Sequence, residues 1–156
     1  MTYYRVDRRL FEVGEEICTA SEYYDKFEKI AKDVEDALEL SRPEDMKPRT
    51  ECLFVFEDEQ CARKHWSKMI DGKLYEVSIK NANVFHRGDM AQLNVMKQLH
   101  EIGQSMSEVA KAYWRGETSY SPEIEIMVSN AIVTRVLSTS DSERREHLIN
   151  RWRIKK

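Results

Sequence analysis

Two glutamates alternate with aliphatic residues in the run Glu123-Ile124-Glu125-Ile126-Met127-Val128. In an extended strand successive side chains point to opposite faces, so both carboxylates face one way and Ile124, Ile126 and Val128 the other. The two Cα atoms then lie about 6–7 Å apart on one side of a sheet. Like charges at that separation repel weakly in water and more strongly in a cleft. A strand built only for packing gains nothing from the pair, whereas a solvated outer face tolerates it. The spacing leaves both readings open: a wetted face, or two acids set to do chemistry.

Other chemical signals are fewer. His65, His86, His100 and His147 show no HExxH spacing, and neither GxxxxGK[ST] nor GxGxxG occurs, so zinc-protease, P-loop and Rossmann readings lack their ligands and glycines. No metal site is expected. Cys18, Cys52 and Cys61 are odd in number and fit neither a disulfide framework nor a CxxC zinc site, which reads as reduced, mostly buried thiols. His86-Arg87-Gly88-Asp89 precedes a helical stretch, with Asp89 the expected N-cap. Tyr113-Trp114-Arg115 reads as a helix face that is core, or else a rim for a partner.

The elements that must position these groups follow from periodicity. Residues 2–7 (TYYRVD) read as a short aromatic strand, and Gly14 breaks the pattern. Thr19 and Glu22 suit a capping box. Tyr23, Phe27, Ile30, Val34 and Leu38 recur at helical steps, giving an amphipathic helix to about Leu40. Residues 41–50 (SRPEDMKPRT) read as an exposed loop. Cys52–Phe56 has strand length, with Phe54 and Phe56 on one face. Asp58 can cap a helix on which Ala62, Trp66, Met69 and Ile70 share a face, and Asp71-Gly72 ends it. Leu74–Ile79 alternates as a strand. Helices follow from about Asp89 to Ile102, stopped by Gly103, and over Met106, Val109, Ala110, Tyr113 and Trp114, ended by Gly116. Strands Glu123–Val128 and Ala131–Leu137 flank Ser129-Asn130, which suggests a tight hairpin. The tail from Asp141 reads as a surface helix.

Composition bounds the rest. A chain of 156 residues with 41% hydrophobic and 34% charged residues suits one α+β domain over residues 1–156 with a full core. The net charge of −3 gives no global attraction to nucleic acid or anionic lipid. Arg144, Arg145, Arg151, Arg153, Lys155 and Lys156 make the tail locally basic, diluted by Glu143 and Glu146; a solvated helix with at most weak nucleic-acid contact is expected. No segment reaches the ~20 apolar residues of a membrane span, and the N-terminus lacks a signal-peptide core, so a cytoplasmic location is expected.

Three segments, in this order, resemble the ADP-ribosyltransferase superfamily, in particular a small bacterial and phage branch. An opening strand carries an aromatic followed by Arg (Tyr3-Tyr4-Arg5-Val6-Asp7). A middle unit reads LFVFEDEQCARKHW then GKLYEVSI. A late strand has Glu-x-Glu followed by aliphatics (PEIEIMVSNAIVTRVL). The resemblance implies a split mixed or antiparallel sheet with flanking helices. It also implies a glycosyltransferase activity in which NAD is the co-substrate and ADP-ribose passes to a macromolecular acceptor, protein or nucleic acid, in a toxin, defence or phage setting.

The resemblance also assigns roles. Glu125 matches the superfamily's catalytic glutamate, which hydrogen-bonds the 2′-hydroxyl of the nicotinamide ribose and stabilises the oxocarbenium-like charge formed as nicotinamide leaves. Glu123 matches the residue that orients or deprotonates the acceptor. Arg5 matches the opening-strand Arg, suited to the NAD pyrophosphate or ribose. Tyr4 is read as lining the same cleft or as core, Phe54 or Phe56 as stacking on nicotinamide or as core, and His86 as bordering the cleft beside the helix that Asp89 caps. The chain departs from many relatives in carrying Phe54-Val55-Phe56 where they have Ser-Thr-Ser, and it lacks the His of the poly-ADP-ribosylating group. These departures leave two alternatives beside the transferase: an NAD glycohydrolase on the same fold, and a non-catalytic binding module.

Overall fold

The computed structural model of the chain describes residues 2–19 and 29–154. Among them the chain is α+β, with seven strands in antiparallel pairings and five α-helices. Two compact units divide them: the described parts of Met1–Ile17, Val55–Lys80 and Ala131–Lys156, and those of Cys18–Phe54 and Asn81–Asn130.

The first unit is built on β1 (Tyr3–Asp7), which pairs with β4 (Lys73–Ser78) from Tyr3↔Val77 to Asp7↔Lys73. β4 pairs in turn with β7 (Asn130–Ser138), with irregularities that shift the register, and β7 is followed by β2 (Glu16–Cys18). On its other side β1 meets the end of β3 (Leu53–Phe56) at Tyr4↔Phe56. Helix α2 (Glu59–Lys68) starts as the sequence predicts: the Asp58 carboxylate accepts the Cys61 N–H at 2.9 Å. Ala62 and Trp66 turn into the core, but the helix ends before Met69 and Ile70, and Ile70 is exposed. The Trp66 indole N–H donates to the Gly72 carbonyl at 3.0 Å and pins the turn, in which Asp71 has φ 60°. Gly72 is required there, since a Cβ would lie 2.8 Å from the Met69 carbonyl oxygen. Helix α5 (Asp141–Ile154) packs on α2, and Arg144 is buried, donating to the Ser67 carbonyl and Asp141. The expected surface helix therefore has an inward arginine; Lys155 and Lys156 lie outside the described residues.

The second unit packs α1 (described as Lys29–Ser41), α3 (Ala91–Glu101) and α4 (Ser107–Trp114) together. Its strands β5 (Val84–Asp89) and β6 (Ile124–Val128) pair antiparallel, and β3 lies beside β6. Val34, Leu38, Cys52, Phe54, Met96, Ala110, Tyr113, Trp114 and Met127 form its core, and the Trp114 indole donates to the Leu38 carbonyl at 2.8 Å. Val34 and Leu38 thus sit where the helical period puts them. The Glu22 cap and the Tyr23 and Phe27 positions lie outside the described residues.

Four expectations are corrected. Ser129-Asn130 makes no hairpin: β6 pairs with β5, and β7 with β4. Two-residue hairpins need positive φ, and among the described residues Asp71 alone combines positive φ with a side chain. The Ser129 N–H instead donates to the Asn83 carbonyl, and the Asn83 amide to the Asn130 side chain. The expected helix start at Asp89 is the end of β5, and α3 begins at Ala91. The Asp89 carboxylate still accepts the Ala91 N–H, while also accepting those of Ser119 and Glu123. The short strand β2 joins the first unit where no strand was expected. Finally, the loop over residues 41–50 ends in a 3-10 turn, Arg49–Glu51, and Arg49 is only 4% exposed. No described helix is long and apolar enough to cross a membrane.

Candidate functional site

Arg49 is the centre of the second unit's polar chemistry. Pro48 precedes it in extended conformation, and the 3-10 turn closes when the Cys52 N–H returns to the Arg49 carbonyl. That turn aims the guanidinium inward. Its Nε–Nη2 edge meets Glu35 of α1 as a fork, with Nε 2.8 and 3.1 Å from the two carboxylate oxygens and Nη2 2.9 Å from Oε1. Its Nη1 donates to the Tyr113 hydroxyl at 2.6 Å and to Glu125 Oε1 at 2.5 Å. The guanidinium also lies 4.5 Å from the centre of the Phe54 ring, a cation–π distance.

Tyr113 completes the arrangement from α4. Its hydroxyl donates to Glu125 Oε1 at 2.7 Å. The ring can lie against β5 only because residue 88, the strand partner of Glu125, is glycine. A Cβ there would stand 2.4 Å from Tyr113 Cε2. His86, two residues earlier on the same strand, donates Nε2–H to the Tyr113 carbonyl at 2.9 Å and packs its ring against Tyr113 and Trp114.

Glu125 is 3% exposed, and both donors that reach it converge on Oε1. Among the described residues no hydrogen bond reaches Oε2. One oxygen of a buried carboxylate is thus held fixed while the other keeps its acceptor capacity.

Electrostatics follow from this crowding. Burial opposes the Arg49 charge, but Glu125, Tyr113 and Glu35 overcome it and hold the guanidinium pKa well above its ordinary value. Burial, with the Glu125 charge and hydrogen bond against the opposing Arg49 charge, pushes the Tyr113 phenol well up, so it stays a donor. Burial lowers the His86 imidazole, which is neutral at pH 7; the Tyr113 carbonyl and Glu125 only partly offset this. Burial raises the Cys52 thiol to about 11, which makes it inert. A cavity of about 330 Å³ is lined by Glu35, Asp36, Glu39, Pro48, Arg49 and Thr50. Arg49 and Glu35 are in its wall; Glu125 is not among the residues that line it.

The residues predicted from sequence divide. Glu125, Phe54 and His86 gather around Arg49 and Tyr113. Glu123 precedes β6 rather than lying in it; it is half-buried, with its N–H given to Asp89 and its carbonyl accepting the Met90 N–H. Tyr4, Arg5 and Phe56 lie in the first unit. Arg5 donates Nε and Nη2 to Asp7 at 3.0 and 2.8 Å, and Asp7 also binds Arg9. Tyr4 lies near Glu59 and Glu76; burial first and then these charges raise its pKa. Phe56 stacks on His65 with ring centres 5.0 Å apart.

Sequence reasoning missed Arg49, Glu35 and Gly88, and read Tyr113 only as core or rim. One signal was available for Arg49: a lone arginine between a proline and a wholly apolar strand. Glu35 adjoins the apolar stripe of Val34 and Leu38, which marks it as a flanking acid and no more.

No curated protein matches the chain. Residues 7–141, a segment that holds Glu35, Arg49, Tyr113 and Glu125 but not Tyr4 or Arg5, match the family described as "Protein of unknown function (DUF2441)", and the chain belongs to that family.

Proposed function

We propose that this chain is an NAD-dependent ADP-ribosyltransferase in which Glu125 is the catalytic carboxylate. The observation that supports it is the division of labour between the two Glu125 oxygens: Oε1 is held by Arg49 and Tyr113, and Oε2 is left to accept. A buried ion pair is weak evidence for stability, whereas preorganised carboxylates in such settings are common at reactive sites.

In this reading Oε2 accepts the 2′-hydroxyl of the nicotinamide ribose. The C1′–N bond breaks, its electron pair leaves with nicotinamide, and the fixed negative charge stabilises the cationic ribosyl carbon. An acceptor nucleophile then bonds to that carbon and loses its proton to Glu123. The cavity beside Arg49 is at the small end of ligand sites, about 300–1,000 Å³, and takes part of a dinucleotide. Phe54 and His86, in the same unit as Glu125, keep the binding roles the resemblance gives them. With water as the acceptor the same centre is an NAD glycohydrolase.

The 3% exposure of Glu125 favours a second reading, a binding module without chemistry, in which the ionic cluster only holds α1, α4 and β6 together. Incubating the purified chain with labelled NAD and cell lysate separates the readings. The transferase releases nicotinamide and labels a macromolecule, and Glu125→Gln abolishes both while remaining folded. A folded sample that neither binds nor consumes NAD rejects the proposal.

A further inference from the structure

We infer that Glu35 is a positioning residue that keeps the Oε2 atom of Glu125 available, an inference that rests on the function proposed above. Arg49 divides its donors between two acids. A guanidinium has a strong preference for gripping a carboxylate with two parallel N–H bonds. Here the Nε–Nη2 edge makes that fork with Glu35, at 2.8–3.1 Å. Of the remaining donors, Nη1 is the one that reaches the other carboxylate, at Oε1, the oxygen that Tyr113 also binds. Glu125 therefore receives Arg49 through one oxygen.

Glu35 stands on α1, 90 residues before Glu125 in the chain, and no hydrogen bond joins the two. Its effect passes through the orientation of one guanidinium. If Glu35 did not hold the fork, Arg49 would turn and take both oxygens of Glu125. The carboxylate would be equally well neutralised but would have lost the oxygen that meets the ribose. The guanidinium stays over the Phe54 ring, 4.5 Å from its centre, and beside Tyr113, so a turn on these contacts is what brings a second N–H to Glu125. A pair of acids on one arginine, which looks redundant as a structural ion pair, is thus what leaves one acid with a vacant acceptor.

The test is Glu35→Gln, read in two ways. A crystal structure of the variant is expected to show the Arg49 fork on both Glu125 oxygens. Nicotinamide release is expected to fall about 100-fold in kcat, with KM for NAD changed by less than about twofold. Adding Arg49→Lys to Glu35→Gln restores part of the lost turnover, because an ammonium is a point charge without a fork; a purely structural role for Glu35 gives further loss instead. Where Glu35→Gln does not fold, Glu35→Asp carries the test, with a smaller loss of turnover expected.

An unrotated Arg49 in the variant, or unchanged turnover, overturns the inference and leaves the transferase proposal standing. A native chain that consumes no NAD rejects the transferase proposal; the crystal structure of Glu35→Gln still decides what holds Arg49.

Discussion

Gly88 lies directly beneath the ring of Tyr113, so close that a Cβ on residue 88 would meet Tyr113 Cε2, Cζ and Oη at 2.4, 2.5 and 2.8 Å. The same glycine is the strand partner of Glu125. An absent side chain on β5 thus makes room for the phenol that binds the carboxylate on β6. Gly88→Ala is expected to push Tyr113 off Glu125 and to destabilise the chain by about 1–3 kcal/mol, the cost of overpacking a filled core. Urea unfolding measures this. Tyr113→Leu in the same chain should recover part of the loss by removing the ring, and additive effects of the two substitutions would show that they do not meet.

Arg49 is the only guanidinium bonded to the buried carboxylates of Glu35 and Glu125, among the described residues. Removing it strands both charges. Arg49→Leu is expected to cost about 3–5 kcal/mol. Replacing the whole set, with Glu35→Leu, Arg49→Leu and Glu125→Leu together, should cost less than the single change, because no ion is left unpaired. The order of the three urea midpoints, native, triple, single, is the check. A single variant as stable as the native chain would mean that the cluster is wetter than its burial implies.

His86 makes the folding stability of the chain depend on pH. Its folded-state pKa lies below the ordinary 6.5, chiefly through burial, and His147 is lowered the same way, by burial and then by Arg63 and Arg151. The unfolded chain therefore binds more protons as pH falls below about 6.5, and folding stability declines in that range. Above it, neither histidine contributes a pH slope. Asp7 and Asp89 act lower down. Burial would raise both, but the Arg9 and Arg5 interactions at Asp7, and the Ser119, Glu123 and Ala91 N–H groups at Asp89, leave them below 3.8. Their contribution is complete above that value and is lost as pH falls through the folded-state values. Urea midpoints at pH 7.5, 5.5 and 4.5 should fall first through the histidine range, and His86→Gln should flatten that first step.

The elements that sequence revealed are those whose signal is local. Val34 and Leu38, the Asp58 cap, Trp66 and the alternation of Leu74 to Ser78 all report a period or a cap within a few residues. The elements it hid depend on distant partners. The strand Val84–Asp89 carries a histidine, an arginine and a glycine, and is a strand because β6 lies beside it. Ser129-Asn130 looks like a turn until the strands on either side are seen to pair elsewhere. Glu-x-Glu on β6 was compatible with a wetted face or with a site. What buries Glu125 is an arginine 76 positions earlier, in a segment whose prolines and charges read as loop. No periodicity connects those two residues; only the folded chain does.

Glu123 and Glu125 are held in different ways. Glu125 lies within β6, gripped by Arg49 and Tyr113; Glu123 precedes the strand, its backbone tied to Asp89 and Met90. If Glu125 stabilises the ribosyl cation formed as nicotinamide departs, Glu125→Gln loses about 100-fold or more in nicotinamide release. Glu123→Gln should leave that release within about tenfold, since it acts on the acceptor and general-base help is a separate contribution of about 100-fold or more to transfer. The signature is uncoupling: nicotinamide still formed, labelled macromolecule lost. Measuring both products from each variant with labelled NAD and lysate gives the answer. Equal loss of both products in Glu123→Gln would assign that residue to the bond-breaking step. Retention of both would remove Glu123 from the chemistry.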